Sequence, residues 1–137
     1  MIHYEHVILF ILAKANQRVH GAFKSGLQHF GLTPMQALIL HALYMEDGLS
    51  AGAIGRRLSL DSATLSGVLE RMAEAGWIIK HVAEGDRRML HIQLTSKAQA
   101  CKDAFLAEVE VINGSVLAGF RLEERLLLER MLKDLRE

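Results

Sequence analysis

Leu49 to Thr95 reads LSAGAIGRRLSLDSATLSGVLERMAEAGWIIKHVAEGDRRMLHIQLT. Ser50 is placed to cap a short helix that ends near Leu58, with Ile54 and Leu58 turned inward. A Ser-Leu-Asp turn follows, and Asp61 is the next cap. Leu65, Val68, Leu69 and Met72 recur at three- and four-residue spacing, which defines the buried side of a helix over 62–75. Gly76 stops it. Residues 77–82 and 89–94 read as strands, the second alternating Leu90, Ile92 and Leu94 against Met89, His91 and Gln93. A loop of about six residues carrying Gly85-Asp86-Arg87-Arg88 joins them. Helix, turn, helix and basic hairpin are the components of a winged helix-turn-helix.

Outside this stretch the chain is helical. Over 5–30, Ile8, Ile11, Ala15, Val19, Phe23, Leu27 and Phe30 form one stripe, opposite Lys14, Gln17, Lys24 and Gln28. Gly31 ends that helix. Thr33 and Pro34, the only proline, open the next as N-cap and first helical residue. Its apolar face is expected to be Leu38, Ile39, Ala42, Leu43 and Met45, running to Asp47-Gly48. Thr95 or Ser96 starts a helix that is expected to reach Phe120, with Gly114 and Gly119 as weak points. Residues 121–135 form a last helix rich in leucine. The two ends carry more Leu, Ile and Val than one small core absorbs, so the terminal helices are expected to pack on a second copy. The fold class is therefore mainly α with a small β-hairpin wing, in an obligate-type dimer with a helical dimerisation region.

The totals agree with a single domain. The chain has 137 residues, half of them hydrophobic, enough for a real core. Its longest apolar run, Val7 to Ala13, is far short of the roughly 20 residues a bilayer requires. No signal peptide is legible, and the one cysteine, Cys101, allows no intrachain disulfide. A cytoplasmic protein with no membrane association is expected. Formal charge is zero, but residues 50–97 hold seven Lys/Arg and five Asp/Glu, a net of +2 that leaves −2 for the rest. That asymmetry alone reads as a solvated surface.

In order and spacing the chain resembles the MarR family of bacterial transcription regulators across roughly residues 5–136. The resemblance is carried by Leu32-Thr33-Pro34-x-Gln36, Gly55-x-x-Leu58, Thr64-Leu65-Ser66, and Leu69-Glu70-Arg71-Met72. It continues in Gly76-Trp77-Ile78, Asp86-Arg87-Arg88 ten residues later, Leu94-Thr95 and Glu124-Arg125. It implies one domain over 1–137, with 1–31 and 97–137 dimerising and 32–96 forming the DNA-binding head. It further implies a homodimer on a palindromic double-stranded operator, acting as a repressor released by a small aromatic or phenolic ligand.

Candidate residues follow. In the second helix of the motif, Ser62, Ala63, Ser66 and Gly67 face away from the core, at the end that enters a major groove. Hydroxyls can donate to phosphate or read base edges, and Ala63 can touch a thymine methyl. Thr64 and the helix-start N–H groups suit a phosphate. The plainer reading makes these Ser and Thr residues caps and spacers. Gly67 departs from the family, where a longer side chain, often Arg, is common; base contacts are then few and shape readout gains weight. By resemblance Asp86 shapes the wing and one of Arg87 and Arg88 reaches the minor groove. Spacing does not say which, though alternation sets Arg88 on the side of Leu90 and so favours a projecting Arg87. Ser50, Arg56, Arg57, Arg71 and Lys80 are phosphate candidates, and Arg71 could instead pair with Glu74 or Glu70. By resemblance alone, a ligand pocket between the long helices and the head would be lined by Phe10, Lys14, Arg18, His41, Tyr44 and Met45.

Seven histidines prompt a metal question, but no HxxxH pair or Cys/His cluster occurs, and neither a metal nor a cofactor is expected. The family's peroxide-sensing branch carries its cysteine in the first helix, which here has none; Cys101 reads as a half-buried small residue. No phosphate loop or nucleophile with a base partner suggests an enzyme. The competing readings are a winged-helix module working through protein contacts, supported by the neutral charge and Gly67, and a metal- or redox-responsive regulator.

Overall fold

Each helix-start residue named above captures a backbone donor in the computed structural model. The structure describes residues 1–83 and 85–136, with the backbone alone for 83 and 86–88. The helices are α1 (Ile8–Gly26), α2 (Pro34–Met45), α3 (Ala51–Leu58), α4 (Ser62–Glu74), α5 (Ser96–Val116) and α6 (Leu122–Leu135). Strands β1 (Ile78–Ala83) and β2 (Asp86–Leu94) lie between α4 and α5. Thr33 and Gln36 form a reciprocal capping box. Ser50 accepts from Ala53 N–H, Asp61 from Thr64 N–H and Thr95 from Ala98 N–H. Gly76, at φ 84°, closes α4 while Trp77 N–H returns to Met72 O at 3.0 Å.

Four expectations are corrected. The first helix does not run unbroken over 5–30. Val7 is extended, so Tyr4–His6 forms a separate 3-10 turn, and Leu27 ends α1 before a second turn at Gln28–Phe30. The buried side of α2 is Gln36, Ala37, Ile39, Leu40, Leu43 and Tyr44, whereas Leu38 and Met45 are exposed. The helix is apolar nearly all round, so periodicity alone could not choose its inner face. The strands reach further into the expected loop: Ala83 pairs with Asp86 after a register irregularity beyond Val82, and Gly85 has φ 82°. The strand pattern was hidden there by charged residues. Finally, α5 ends at Val116 rather than Phe120, which is exposed.

The core collects the inner faces of α2, α3 and α4, the hairpin residues Ile78, Ile92 and Leu94, and Ala98, Phe105 and Ile112 of α5. Leu49 and Ser50 add a third short edge to the hairpin. Ile92 N–H donates to Leu49 O at 2.9 Å, and Ser50 bridges His91. Asp47 Oδ1 accepts from Leu94 N–H and from Gly48 N–H, both at 2.9 Å, tying the loop after α2 to the hairpin's end.

The terminal helices are different. Neither α1 nor α6 buries a side chain within the chain. Ile8, Leu9 and Ile11 on α1, Val111 on α5, and Leu122, Leu126, Leu127, Met131, Leu132 and Leu135 on α6 are exposed. α1 meets α5 closely at Gly26. A Cβ added at Gly26 would lie 2.5 Å from Ile112 Cδ1 and 2.7 Å from its Cγ1. Gly26→Ala should therefore lower stability by about 1–3 kcal/mol, less whatever the better helix former returns. Urea unfolding at fixed protein concentration reads this as a lower midpoint; an unchanged midpoint would show that Ile112 moves aside freely.

Candidate nucleic-acid interface

Burial of Leu65, Val68, Leu69 and Met72 fixes the rotation of α4. Ser62, Ala63, Thr64 and Ser66 are left exposed and Gly67 partly so. Beside them, between α3, α4 and the hairpin, lies a cleft of about 300 Å³ whose walls include Gly52, Arg56, Ser62, Ser66, Lys80 and Leu90. Of the recognition-helix set, Thr64 is committed locally. Its N–H donates to Asp61 Oδ1 and its hydroxyl to Asp61 Oδ2, both at 2.8 Å. These two bonds hold the Asp61 carboxyl below its ordinary range. Ser62, Ala63 and Ser66 are therefore the outward groups with the fewest local commitments.

The cations divide similarly. Arg57 is held by Glu46 at 2.7 Å and Lys80 by Glu70 at 2.5 Å. Lys80 keeps the Glu70 carboxyl below its usual range, first through the hydrogen bond and then through its charge. Arg56 and Arg71 have no acidic partner among the described residues. The expected alternative for Arg71, a pair with Glu74 or Glu70, does not form, and Glu70 is taken by Lys80. Its guanidinium instead reaches back one turn and lies over Gly67, where a Cβ would be 3.6 Å from Nη1. The bare position is thus covered by a cation from the next turn, which sequence spacing (i, i+4) permitted but did not single out. Lys97, counted above in the positive stretch, is structural: Nζ donates to Ala75 O at 2.8 Å and sits 4.3 Å over the Trp77 ring. The Asp86, Arg87 and Arg88 side chains, expected to form the wing's DNA contacts, lie outside the described residues.

The six expected pocket liners do not come together. A cavity of about 220 Å³ between α1, α2 and α5 is lined by Val19, His20, Phe23, Pro34, His41 and Val109, among others; His41 is the one expected residue there. Phe10, Lys14 and Arg18 follow i, i+4 spacing on the opposite side of α1 from Val19 and Phe23. Lys14 lies over the Phe10 ring instead. Met45 is exposed. Tyr44 is core: its buried hydroxyl donates to Ala98 O at 2.5 Å, and burial, with Cys101 adding to it, pushes its pKa up to about 12.

A capped recognition helix, a supporting helix and a hairpin packed on one core define a winged helix-turn-helix protein. A sequence profile of the MarR family matches residues 30–89. A solved structure of a probable transcriptional regulator from Pseudomonas aeruginosa is 34% identical with a TM-score of 0.90, covering 97% of this chain and 99% of that one. The chain belongs to the MarR family. It is 35% identical over 116 residues to the HTH-type transcriptional regulator TtmR of Methylorubrum extorquens (strain PA1), covering 85% of this chain and 58% of TtmR's length. It is also similar to AbfR, solved in its overoxidized form bound to DNA, at 26% identity and TM-score 0.78, with 94% of this chain and 90% of that one covered.

Proposed function

We propose that this chain is a DNA-binding transcriptional regulator that works as a homodimer and not as an enzyme. Residues 32–96 serve as the head and residues 1–31 and 97–137 as the dimerisation region. Its DNA target would place it in the cytoplasm. The observation that carries the reading is the outward end of α4. Small polar side chains stand exposed at the N-terminal turns of a helix whose opposite face is buried, beside Arg56, which has no acidic partner among the described residues. That arrangement fits a major groove, and Ser62, Ala63 and Ser66 are the residues assigned to it. Ser50, Arg56 and Arg71 supply phosphate contacts, with Arg57 and Lys80 contributing less because Glu46 and Glu70 already neutralise them. Arg87, with Asp86 and Arg88, is assigned to the wing on the family resemblance.

Regulation is proposed to run through the cavity between α1, α2 and α5. Its walls are mostly apolar, with Asn16 and the imidazoles of His20 and His41 as polar groups, which suits a small aromatic or phenolic ligand. Occupancy would shift the spacing of two heads that must match one operator, making the protein a repressor released by its ligand.

The test is fluorescence anisotropy against the chain's own upstream DNA across a salt series. Arg56→Ala should reduce the salt slope by about 0.9 and weaken all sequences alike. Arg57→Ala should change the slope less. If neither variant nor salt alters binding, or no upstream DNA binds above random sequence, the DNA-reading role fails.

A further inference from the structure

The hairpin carries two histidines directly opposite each other. His81 of β1 pairs with His91 of β2, ring centroids 6.0 Å apart. They lie ten positions apart in the chain, so only the antiparallel register brings them together. His81 is exposed and His91 half-buried. His91 is also oriented: its Nδ1 lies 2.9 Å from Gly48 O. A carbonyl only accepts, so Nδ1 carries the proton and Nε2 of the neutral ring keeps its lone pair. An outer hydrogen bond from one ring nitrogen to a backbone carbonyl is how metal-binding histidines are usually held.

The spacing is close to that of a shared ion. With metal–nitrogen bonds of about 2.0–2.1 Å, two imidazoles on one tetrahedral ion have ring centres roughly 5 Å apart. The observed 6.0 Å is wider than this, and His81, being exposed, has the freedom to turn inward and close the difference. We propose that His81 and His91 form a two-imidazole site for a zinc-class divalent ion at the root of the wing. Imidazole nitrogen selects borderline d-block ions over magnesium or calcium. Among the described residues no cluster of three or more His, Cys, Asp or Glu completes a closed cage, so water fills the other positions. Through His91 the ion links β1 and β2 to Gly48, in the loop that leads into α3. It would stiffen the wing's root against the helix-turn-helix. The site does not depend on the DNA-reading role.

Zinc chloride titrated into the full chain without DNA, followed calorimetrically and by imidazole nitrogen NMR, tests this. The expected result is one zinc per chain, with the His91 Nε2 resonance shifting on binding. His81→Gln and His91→Gln should each weaken binding roughly tenfold or more. His81→Gln is at an exposed position and should keep its unfolding midpoint, which separates ligand loss from misfolding. The double variant His3→Gln/His6→Gln, which removes the other closely spaced pair, should bind as the parent does. Wild-type amide protection along Ile79–Val82 should rise with zinc and stay flat in His81→Gln. Absence of zinc binding, undiminished affinity in His81→Gln, or loss only in the His3/His6 variant would each overturn the proposal.

Discussion

Leu127→Asp combined with Met131→Asp should turn the protein into a monomer and abolish selective DNA binding. The reason begins with an imbalance inside one chain. α6 has 14 residues and buries none of them, although leucines and a methionine occupy most of one broad face. An isolated helix of that length is marginal in water, and its leucines would gain nothing by exposure. Fully burying a side chain of this size contributes about 1.5–3 kcal/mol. In a symmetric dimer every substitution acts twice, and each aspartate adds the cost of a desolvated charge. A bare Ile8, Leu9 and Ile11 on α1 and Val111 on α5 supply further apolar surface for the same partner. Loss of the dimer leaves one head on one half-site, and selectivity over random DNA should fall about a thousandfold or more, toward non-specific binding. Sedimentation equilibrium and anisotropy on the same sample check both halves. A variant that stays dimeric and keeps its operator affinity would remove α6 from the interface.

The same imbalance explains what could be read in advance. Elements with one buried face and polar punctuation were legible. Asp61, the 65–68–69–72 spacing and Gly76 define α4 and its outward residues without any tertiary information. Thr33-Pro34 did the same for the start of α2. Elements buried on several sides were not legible in detail. α2 has apolar residues on nearly every side, so its spacing turns Leu38 and Met45 inward and does not single out Ala37 and Leu40, which the structure buries. The pocket failed for a related reason. Phe10, Lys14 and Arg18 share a stripe, but which stripe of α1 meets α2 and α5 depends on Phe23, Leu27 and the close approach at Gly26. Contacts that cross the chain were invisible: Asp47 to Leu94, Lys97 to Trp77, Leu49 to Ile92, and the rung formed by His81 and His91. None leaves a local pattern, because each arises from one element's placement against another. The ion pairs of Arg57 and Lys80 are of this kind too, and they decide which cations remain available to phosphate.

Phe105→Ala should be the most damaging single core substitution, because the ring stands where three segments of the chain converge. It is fully buried on α5. Phe30 meets it edge-on at 5.9 Å, Tyr44 tilts against it at 5.5 Å and His41 stands 6.4 Å away. The turn after α1, helix α2 and helix α5 therefore converge on one side chain. Truncating a buried phenylalanine costs about 3–5 kcal/mol, the loss of transfer energy plus that of an unfilled cavity. Each aromatic contact adds about 0.5–1.5 kcal/mol that an alanine cannot replace. Against a total stability of about 5–15 kcal/mol the loss is large. Phe105→Leu keeps much of the volume and should cost far less. The void would also open beside His41, which lines the cavity assigned to the ligand. Helix α2 would then be less firmly tied to α5, and on the proposed function any ligand effect on DNA affinity should shrink even where the variant remains folded. Urea unfolding at one fixed protein concentration gives the stability loss, since a dimer's midpoint moves with concentration. A cost below about 1 kcal/mol would mean that Phe30 and Tyr44 collapse into the space, and that this junction is softer than its packing indicates.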